Sequence, residues 1–322
     1  MKNLQKILVI YQGDDWDKEI PFDKEANRKG YEAWAEQAGK MEVEMVRASI
    51  EWFDKKNGSF KKYWQFKNGK WEKNEKSFLP DVVLNKIKIR EKMEDLENMK
   101  AMQKSIPIIN DPIFSSLFDN KINQCLLFSE FMPESFFAGN FQNLERILKS
   151  MDQEKKIVLK PIDQSGGFGI IIEKIKNIDL KKVSFPVLGQ EFLEADASFW
   201  GFKDRVADLR MVFVGEELSY AATRVAPEGS LFTNFHQGAV LNIIDEKKIP
   251  EEIWNIVKKV NKRISFFSER IYSLDFLYDK KNGPKLIEMN TKPGVDYFNE
   301  NNFDTREKYF TDVLEAMDSW LM

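Results

Sequence analysis

Three residues in the segment YSLDFLYDKKNGPKLIEMN have side chains suited to holding a cation: Asp275, Glu288 and Asn290. Glu288 and Asn290 stand two apart, so an extended strand sends both to the same side. Lys281-Asn282-Gly283 is a hairpin turn signal. Folding about the centre of the turn Asp279–Pro284 sets Asp275 opposite Glu288, inside an otherwise apolar hairpin. Two such carboxylates repel unless one is protonated or a cation lies between them. Few ligands, all of them oxygens, suit a Mg²⁺ that also binds substrate phosphates. The alternative is a strand end in water, which disagrees with the rarity of unpaired buried acids.

A second segment, IVLKPIDQSGGFGIIIEK, delivers Lys160 from a buried strand and follows it with Gly166, Gly167 and Gly169. The lysine can hold phosphate oxygens as a point charge, and the glycines let backbone N–H groups approach a polyphosphate. The order differs from a Walker A loop, in which the lysine follows the glycines and a helix comes next. On its own the segment is equally a ligand-free hairpin turn. A third segment, ADLRMVFVGEELSYAATRVAP, puts Asp208 and Arg210 on one strand face and Arg224 on the returning strand. Two arginines on a sheet face suit negative charge developing on a phosphoryl or acyl-phosphate oxygen. The competing account is a structural pair, Asp208 with Arg210 or an arginine with a glutamate.

Composition narrows the chemistry. The 322 residues contain one histidine, His236, and one cysteine, Cys125. An internal disulfide and a Cys/His zinc site are therefore excluded, and any imidazole chemistry has to use His236. Cys125 stands in the apolar context INQCLLF and reads as a buried small hydrophobe. Net charge is −3, which argues against coating nucleic acid by bulk charge. The apolar run Ile7–Tyr11 is too short for a signal segment, and no stretch approaches the roughly 20 apolar residues of a membrane helix. The expectation is a cytoplasmic protein with a reduced thiol.

The elements that must carry these residues begin with a strand over Ile7–Tyr11, a helix over Lys24–Gly39 and a strand over Glu42–Ala48, a β-α-β opening that predicts a parallel sheet. Between Lys55 and Lys76 lie eight lysines with Tyr63, Trp64 and Trp71 among them. Asn57-Gly58 and Asn68-Gly69 mark turns there, predicting hairpins whose tryptophans pack inward while the lysines face water; a docking patch for acidic peptide or nucleic acid is the alternative. A strand over Asp81–Ile87, a helix over Arg90–Lys104 and a strand over Ile106–Ile109 lead to Asn110-Asp111-Pro112, read as a first boundary. Helices are expected over Asn120–Phe131 and Asn143–Met151, and strands over Ile157–Lys160, Ile170–Glu173 and Gly189–Leu193. A hairpin is expected over Asp208–Val214 and Leu218–Val225, and an amphipathic helix over Glu251–Arg270. The hairpin of Ser273–Tyr278 and Lys285–Asn290 follows, and a helix over Thr305–Leu321 closes the chain.

Taken in order, LKPIDQSGGFG, GQEFLEA, ADLR, TRVAPEG–TNFHQGA and LDF…LIEMNTKPG resemble the ATP-grasp superfamily, and are most similar to its glutathione synthetase and ribosomal-protein glutamate ligase branch. The resemblance covers most of residues 110–300 and implies an α+β ATP-grasp fold behind an α/β pre-ATP-grasp unit. The units would be residues 1–109, a small subdomain 110–188 with the glycine loop, and a C-terminal subdomain 189–322 with the metal site.

The resemblance further implies ATP bound by Lys121, Lys160, Gly166, Gly167 and Asp208, with Gln190, Glu191, Phe192 and Leu193 as the hinge that reads the adenine edge. Asp275, Glu288 and Asn290 would hold two Mg²⁺ ions, with Mn²⁺ as a substitute. Arg210, Arg224 and Asn234 would line the place where an acyl phosphate forms. The implied activity is a Mg-ATP-dependent carboxylate–amine ligase acting on small-molecule or peptide substrates, with an oligomer compatible. The alternatives are an ATP-grasp phosphotransferase and a non-catalytic ATP-binding regulatory module. Phe232 departs from the pattern, since the branch often has arginine two residues before the asparagine matched by Asn234. His236 stands beside that asparagine and reads as a structural loop residue.

Overall fold

The computed structural model describes residues 5–87, 93–162, 167–295 and 302–321. Strand β1 (Lys6–Tyr11), helix α1 (Glu25–Lys40) and strand β2 (Glu44–Ser49) open the chain. Strands β3 (Phe53–Asp54) and β4 (Ser59–Phe60) form a small ribbon around Asn57-Gly58; β5 (Tyr63–Lys67) and β6 (Lys70–Asn74) form a second hairpin around Asn68-Gly69. Asn68 and Gly69 both take positive φ, +51° and +74°, the backbone that a two-residue hairpin turn requires. Strand β7 (Val82–Asn85), helix α2 (Met93–Met102) and strand β8 (Ile108–Ile109) complete a six-stranded sheet of order β6-β5-β2-β1-β7-β8. β1 lies parallel to both β2 and β7, and Ile7 to Ile10 are all buried, as a strand covered on both faces demands. In the lysine-rich hairpin Tyr63, Trp64 and Trp71 pack inward, while the ammonium groups of Lys62 and Lys73 lie over the faces of Trp16, Trp52 and Trp64.

Helices α3 (Pro112–Phe118) and α4 (Lys121–Phe128) follow, each started by a side-chain cap: Asp111 accepts from Ile113 N at 2.6 Å and Asn120 from Ile122 N at 2.9 Å. Strand β9 (Ser135–Ala138), helix α5 (Phe141–Lys149) and strands β10 (Lys156–Pro161), β11 (Ile171–Lys174) and β12 (Val187–Glu191) build an antiparallel sheet of order β11-β10-β12-β9. Leu144, Leu148, Ile157, Leu159 and Val187 form its core.

The third sheet holds β13 (Ala207–Val214), β14 (Glu217–Val225) and β15 (Val240–Ile244); after helix α6 (Glu251–Ile264) come β16 (Ile271–Asp279) and β17 (Gly283–Asn290), in order β15-β14-β13-β16-β17. One face, with Leu209, Met211, Phe213, Leu274 and Phe276, packs on Ile253, Val257 and Val260 of α6 and on Phe114, Phe118 and Phe128. Residues 112–128, which the sequence grouped with the glycine-loop strands, thus bury their apolar faces against the third sheet. The opposite face packs on Tyr309, Phe310 and Val313 of the last helix, α7 (Phe303–Trp320), and Phe310 stacks on Trp34 of α1 at 5.1 Å.

The expected helix Glu251–Arg270 is shorter than its periodicity suggested. It ends at Ile264, and the buried Arg270 guanidinium turns back to the Phe267 carbonyl and pairs with Glu216. Among the described residues no helix is long and apolar enough to cross a membrane.

Candidate active site between the second and third sheets

β10 and β12 on one side, and β13, β16 and β17 on the other, enclose two adjoining cavities. The first, of about 140 Å³, is a mostly apolar slot walled by Val158, Ile172, Phe232, Leu277 and Ile287 and edged by Gln190, Glu191, Phe192 and Leu193. The second, of about 90 Å³, shares Lys160, Thr233 and Asn234 with it and adds Lys121, Gly167, Asp208, Arg224, Asp275 and Glu288. A flat apolar slot opening onto a charged end matches a heterocyclic base joined to phosphates. A larger cavity, about 770 Å³, shares Glu191–Leu193 but none of Lys160, Asp208, Arg224, Asp275 and Glu288, so the two smaller ones are the candidate site.

The charged end is set by strand register. Asp208 faces Arg224 across β13 and β14, Arg210 faces Asp275 across β13 and β16, and Asp275 faces Glu288 across β16 and β17. The hairpin register read from the sequence therefore holds, with a bulge directly after Asp275. Arg210 donates to both Asp275 oxygens, from Nε at 2.8 Å and Nη2 at 2.7 Å. Arg224 grips both oxygens of Asp208 and reaches Asp275 Oδ2 at 2.8 Å. The Thr233 hydroxyl donates to Asp208 Oδ2 at 2.6 Å. The alternative of a structural Asp208–Arg210 pair gives way to cross-strand pairs, because neighbours across a ladder stand closer than residues two apart on one strand.

Burial works against both acids, with opposite outcomes. At Asp275 the two arginines outweigh burial and hold the carboxyl below its ordinary range. At Asp208 burial wins over Arg224 and pushes the carboxyl up. Burial and neighbouring Arg210 oppose the charge on Arg224, but Asp208 and Asp275 keep its pKa raised.

Lys160 opens onto both cavities yet is crowded by protein. Burial lowers its pKa, Lys121 adds to that, and Glu288 opposes it. Lys121 Nζ lies 3.8 Å from Glu288 Oε1. Gly167 has φ +82°, and a Cβ there would stand 2.6 Å from Asn234 Oδ1, so only glycine lets this loop meet the asparagine so closely. Gly166 lies outside the described residues.

Gln190 and Glu191 edge the slot, but their side chains serve the wall: Gln190 Nε2 donates to Ser135 Oγ at 2.9 Å and Glu191 Oε1 accepts from Glu134 N at 3.0 Å. Phe232, where the branch often has arginine, is part of the apolar slot.

The donor set fits a divalent ion brought in with a polyphosphate. Asp275, Glu288 and Asn290 are oxygen donors on adjacent strands, and Asn290 Nδ2 already reaches Asp275 Oδ2 at 3.4 Å. Among the described residues no group of three His, Cys, Asp or Glu could hold a metal unaided. Three acids (Asp208, Asp275, Glu288) stand against four cations (Lys121, Lys160, Arg210, Arg224), a positive balance that suits a polyanion.

The model of the RimK-like ATP-grasp domain matches residues 123–309, more than half of the chain. The chain belongs to that family. A probable alpha-L-glutamate ligase of Psychromonas ingrahamii is 24% identical over 201 residues, which is 58% of this chain and 60% of that relative's length. D-alanyl-alanine synthetase A from Vibrio cholerae superposes over 100% of this chain and 99% of its own, with TM-score 0.65 at 15% identity. The ATP-grasp ligase PsnB, solved with minimal precursor, Mg and ADP, covers 97% of this chain and 98% of its own, with TM-score 0.57 at 13% identity. The α+β fold is that of the ATP-grasp ligases.

Sequence reading missed Thr233 and Gln124. Thr233 stands in the quoted TNFHQG segment, but only the fold shows its hydroxyl turned to Asp208. Gln124 lies in the cysteine helix and gave no signal beyond its apolar neighbours.

Proposed function

We propose that the chain is an ATP- and Mg²⁺-dependent ligase that joins a carboxylate to an amine through an acyl phosphate, on an amino-acid-like or peptide substrate. The observation that carries this reading is the apolar slot ending in the buried Asp208–Arg224–Asp275–Arg210 ladder beside Lys121 and Lys160. Val158, Ile172, Leu277 and Ile287 bind the base, and the backbone of Glu191–Leu193 meets its edge. Lys160 and Lys121 hold the phosphates. Asp275, Glu288 and Asn290 would hold Mg²⁺, which, when bound, draws charge off the phosphate oxygens; two ions are the expected number.

A substrate carboxylate oxygen forms a bond to the γ-phosphorus as the bond to the bridging oxygen breaks, releasing ADP. Arg210 and Arg224 offset charge on the transferring group. The amine then adds to the acyl carbon, and inorganic phosphate leaves with the bonding pair and takes up the proton that the nitrogen gives up. Asn234, held against Gly167, orients the acyl group; the step depends more on positioning than on a strong base. Residues 1–109 correspond to a pre-ATP-grasp unit. The intact acid and lysine set favours an enzyme over a regulatory module.

The test is ADP release in the presence of candidate carboxylates and amines. A ligase needs both; release with one acceptor alone gives the phosphotransferase. Asp275→Asn and Glu288→Gln should retain nucleotide and lose turnover, and full turnover in both would remove the metal assignment.

A further inference from the structure

β17 is an edge strand: the sheet order ends on it, and among the described residues β16 is its only strand partner. An edge strand leaves alternate backbone N–H and C=O groups without a ladder. In β17 these groups are taken by the segment that includes α4. Leu286 N donates to Phe131 O at 2.9 Å. At Met289 a single side chain supplies both partners: Met289 N donates to Gln124 Oε1 at 2.8 Å, and Gln124 Nε2 donates to Met289 O at 2.9 Å. The same Nε2 also reaches Phe118 O. Gln124 is 2% exposed, so its amide acts as the missing neighbour strand.

Met289 stands between Glu288 and Asn290. Its side chain points into the core beneath the third sheet, so those two residues point to the opposite face. A second consequence concerns the helix. Lys121 precedes Gln124 by three residues and shares its side of α4, and its ammonium lies 3.8 Å from Glu288. One amide therefore fixes the strand that carries two acidic-site oxygens and the helix that carries a phosphate-binding lysine.

We infer that Gln124 is a positioning residue for the metal–phosphate end of the site, holding Glu288 and Asn290 in register with Asp275 and Lys121 in reach of Glu288. The inference rests on the ligase reading above. Partners that orient metal ligands typically govern metal affinity by 10- to 100-fold.

The test measures Mn²⁺ binding by the free-ion electron paramagnetic resonance signal, using the full chain saturated with a non-hydrolysable ATP analogue. Nucleotide affinity without metal is measured in parallel. Gln124→Met should lower Mn²⁺ affinity about 10-fold or more, while metal-free nucleotide affinity falls by less, since Lys160 and the slot still hold the nucleotide. If Gln124→Met does not fold, Gln124→Glu carries the test. Its carboxylate accepts from Met289 N but repels Met289 O, and protonation restores the donor. Its Mn²⁺ affinity should rise as pH falls and the new carboxyl is protonated, whereas wild-type affinity should show no such rise. Unchanged Mn²⁺ affinity, or a wild-type pH trend in Gln124→Glu, overturns the inference alone. A wild-type chain that takes up no Mn²⁺ with the analogue removes the ligase reading beneath it.

Discussion

Asp275 is fully engaged before any ligand arrives. Its Oδ1 accepts from Arg210 Nε, and its Oδ2 accepts from Arg210, Arg224 and Asn290. A carboxylate offers about two lone-pair sites on each oxygen, so Oδ2 is already crowded and a cation that takes Asp275 through it competes with the arginines. Arg210 is then released toward the phosphates that brought the cation in. Wild type should therefore bind Mn²⁺ weakly without nucleotide. Arg210→Met should bind it about 10- to 100-fold more tightly, because a charge-assisted pair of about 1.5–3 kcal/mol no longer competes. Turnover should fall at the same time. Equal nucleotide-free Mn²⁺ affinity in the two proteins would rule out this competition.

Lys160 gives a prediction in pH. Burial, with Lys121, depresses its pKa in the folded chain, while the unfolded value is about 10.4. Between the two the unfolded chain holds more protons, so stability rises with pH across that window. At lower pH the full penalty of a crowded ammonium remains. Thermal melting of the nucleotide-free protein should show this alkaline rise, and Lys160→Met should lack it while losing nucleotide affinity. A rise of the same size in Lys160→Met would refute the assignment.

At the scale of elements, the hairpins were the most legible part of the fold. Asn-Gly turns and two-residue alternation fixed their registers, and the facing of Asp275 and Glu288 followed. What escaped were short elements with little pattern. α3 has seven residues, β9 four, and β15 five with Val240 exposed; periodicity needs more turns or more alternations than these provide. The partners of Arg210 and Arg224 escaped for another reason. A strand's own sequence does not state its cross-strand register, and Arg210 meets an acid 65 residues away.

Gly189 shows the same limit. It reads as an ordinary strand residue, yet a Cβ there would lie 2.2 Å from the Phe136 ring, so β9 and β12 pack with that ring directly over the glycine. Gly189→Ala should lose about 1–3 kcal/mol by overpacking, read as a lower urea midpoint. Gly189→Ala combined with Phe136→Ala should recover part of the loss, since the two side chains occupy one volume. An unaffected single variant would show that the ring moves aside freely.

The whole molecule is held together at the Asn110-Asp111-Pro112 segment, which reads as a first boundary in the sequence and begins with a buried asparagine. Asn110 is completely buried with φ +59°. Its Nδ2 donates to Ile271 O and Thr291 O, and its Oδ1 accepts from Ile271 N. Its backbone N donates to Glu269 O, and its carbonyl accepts from Asn85 Nδ2. One residue thus connects the end of β7 in the first sheet to the start of β16 and to the turn after Asn290 in the third. Two further contacts follow the same seam: Lys86 Nζ donates to Pro293 O, and Gly30 of α1 meets Val295 so closely that a Cβ would stand 2.4 Å from its carbonyl oxygen. The first sheet is therefore coupled to the strand that carries Glu288 and Asn290.

If this coupling makes the sheets unfold together, wild type should give a single calorimetric transition. Asn110→Ala leaves three buried backbone groups without their partner, each costing about 1–3 kcal/mol, and removes a residue type that tolerates positive φ. The expected result is a loss of cooperativity, with the first sheet melting in a separate, lower transition while the rest still melts near the wild-type temperature. A nucleotide analogue should then raise the upper transition alone, because the slot and its charged end are built from the second and third sheets. A single transition in Asn110→Ala, merely shifted to lower temperature, would show that the α1–α7 packing is enough to keep the sheets cooperative without the asparagine.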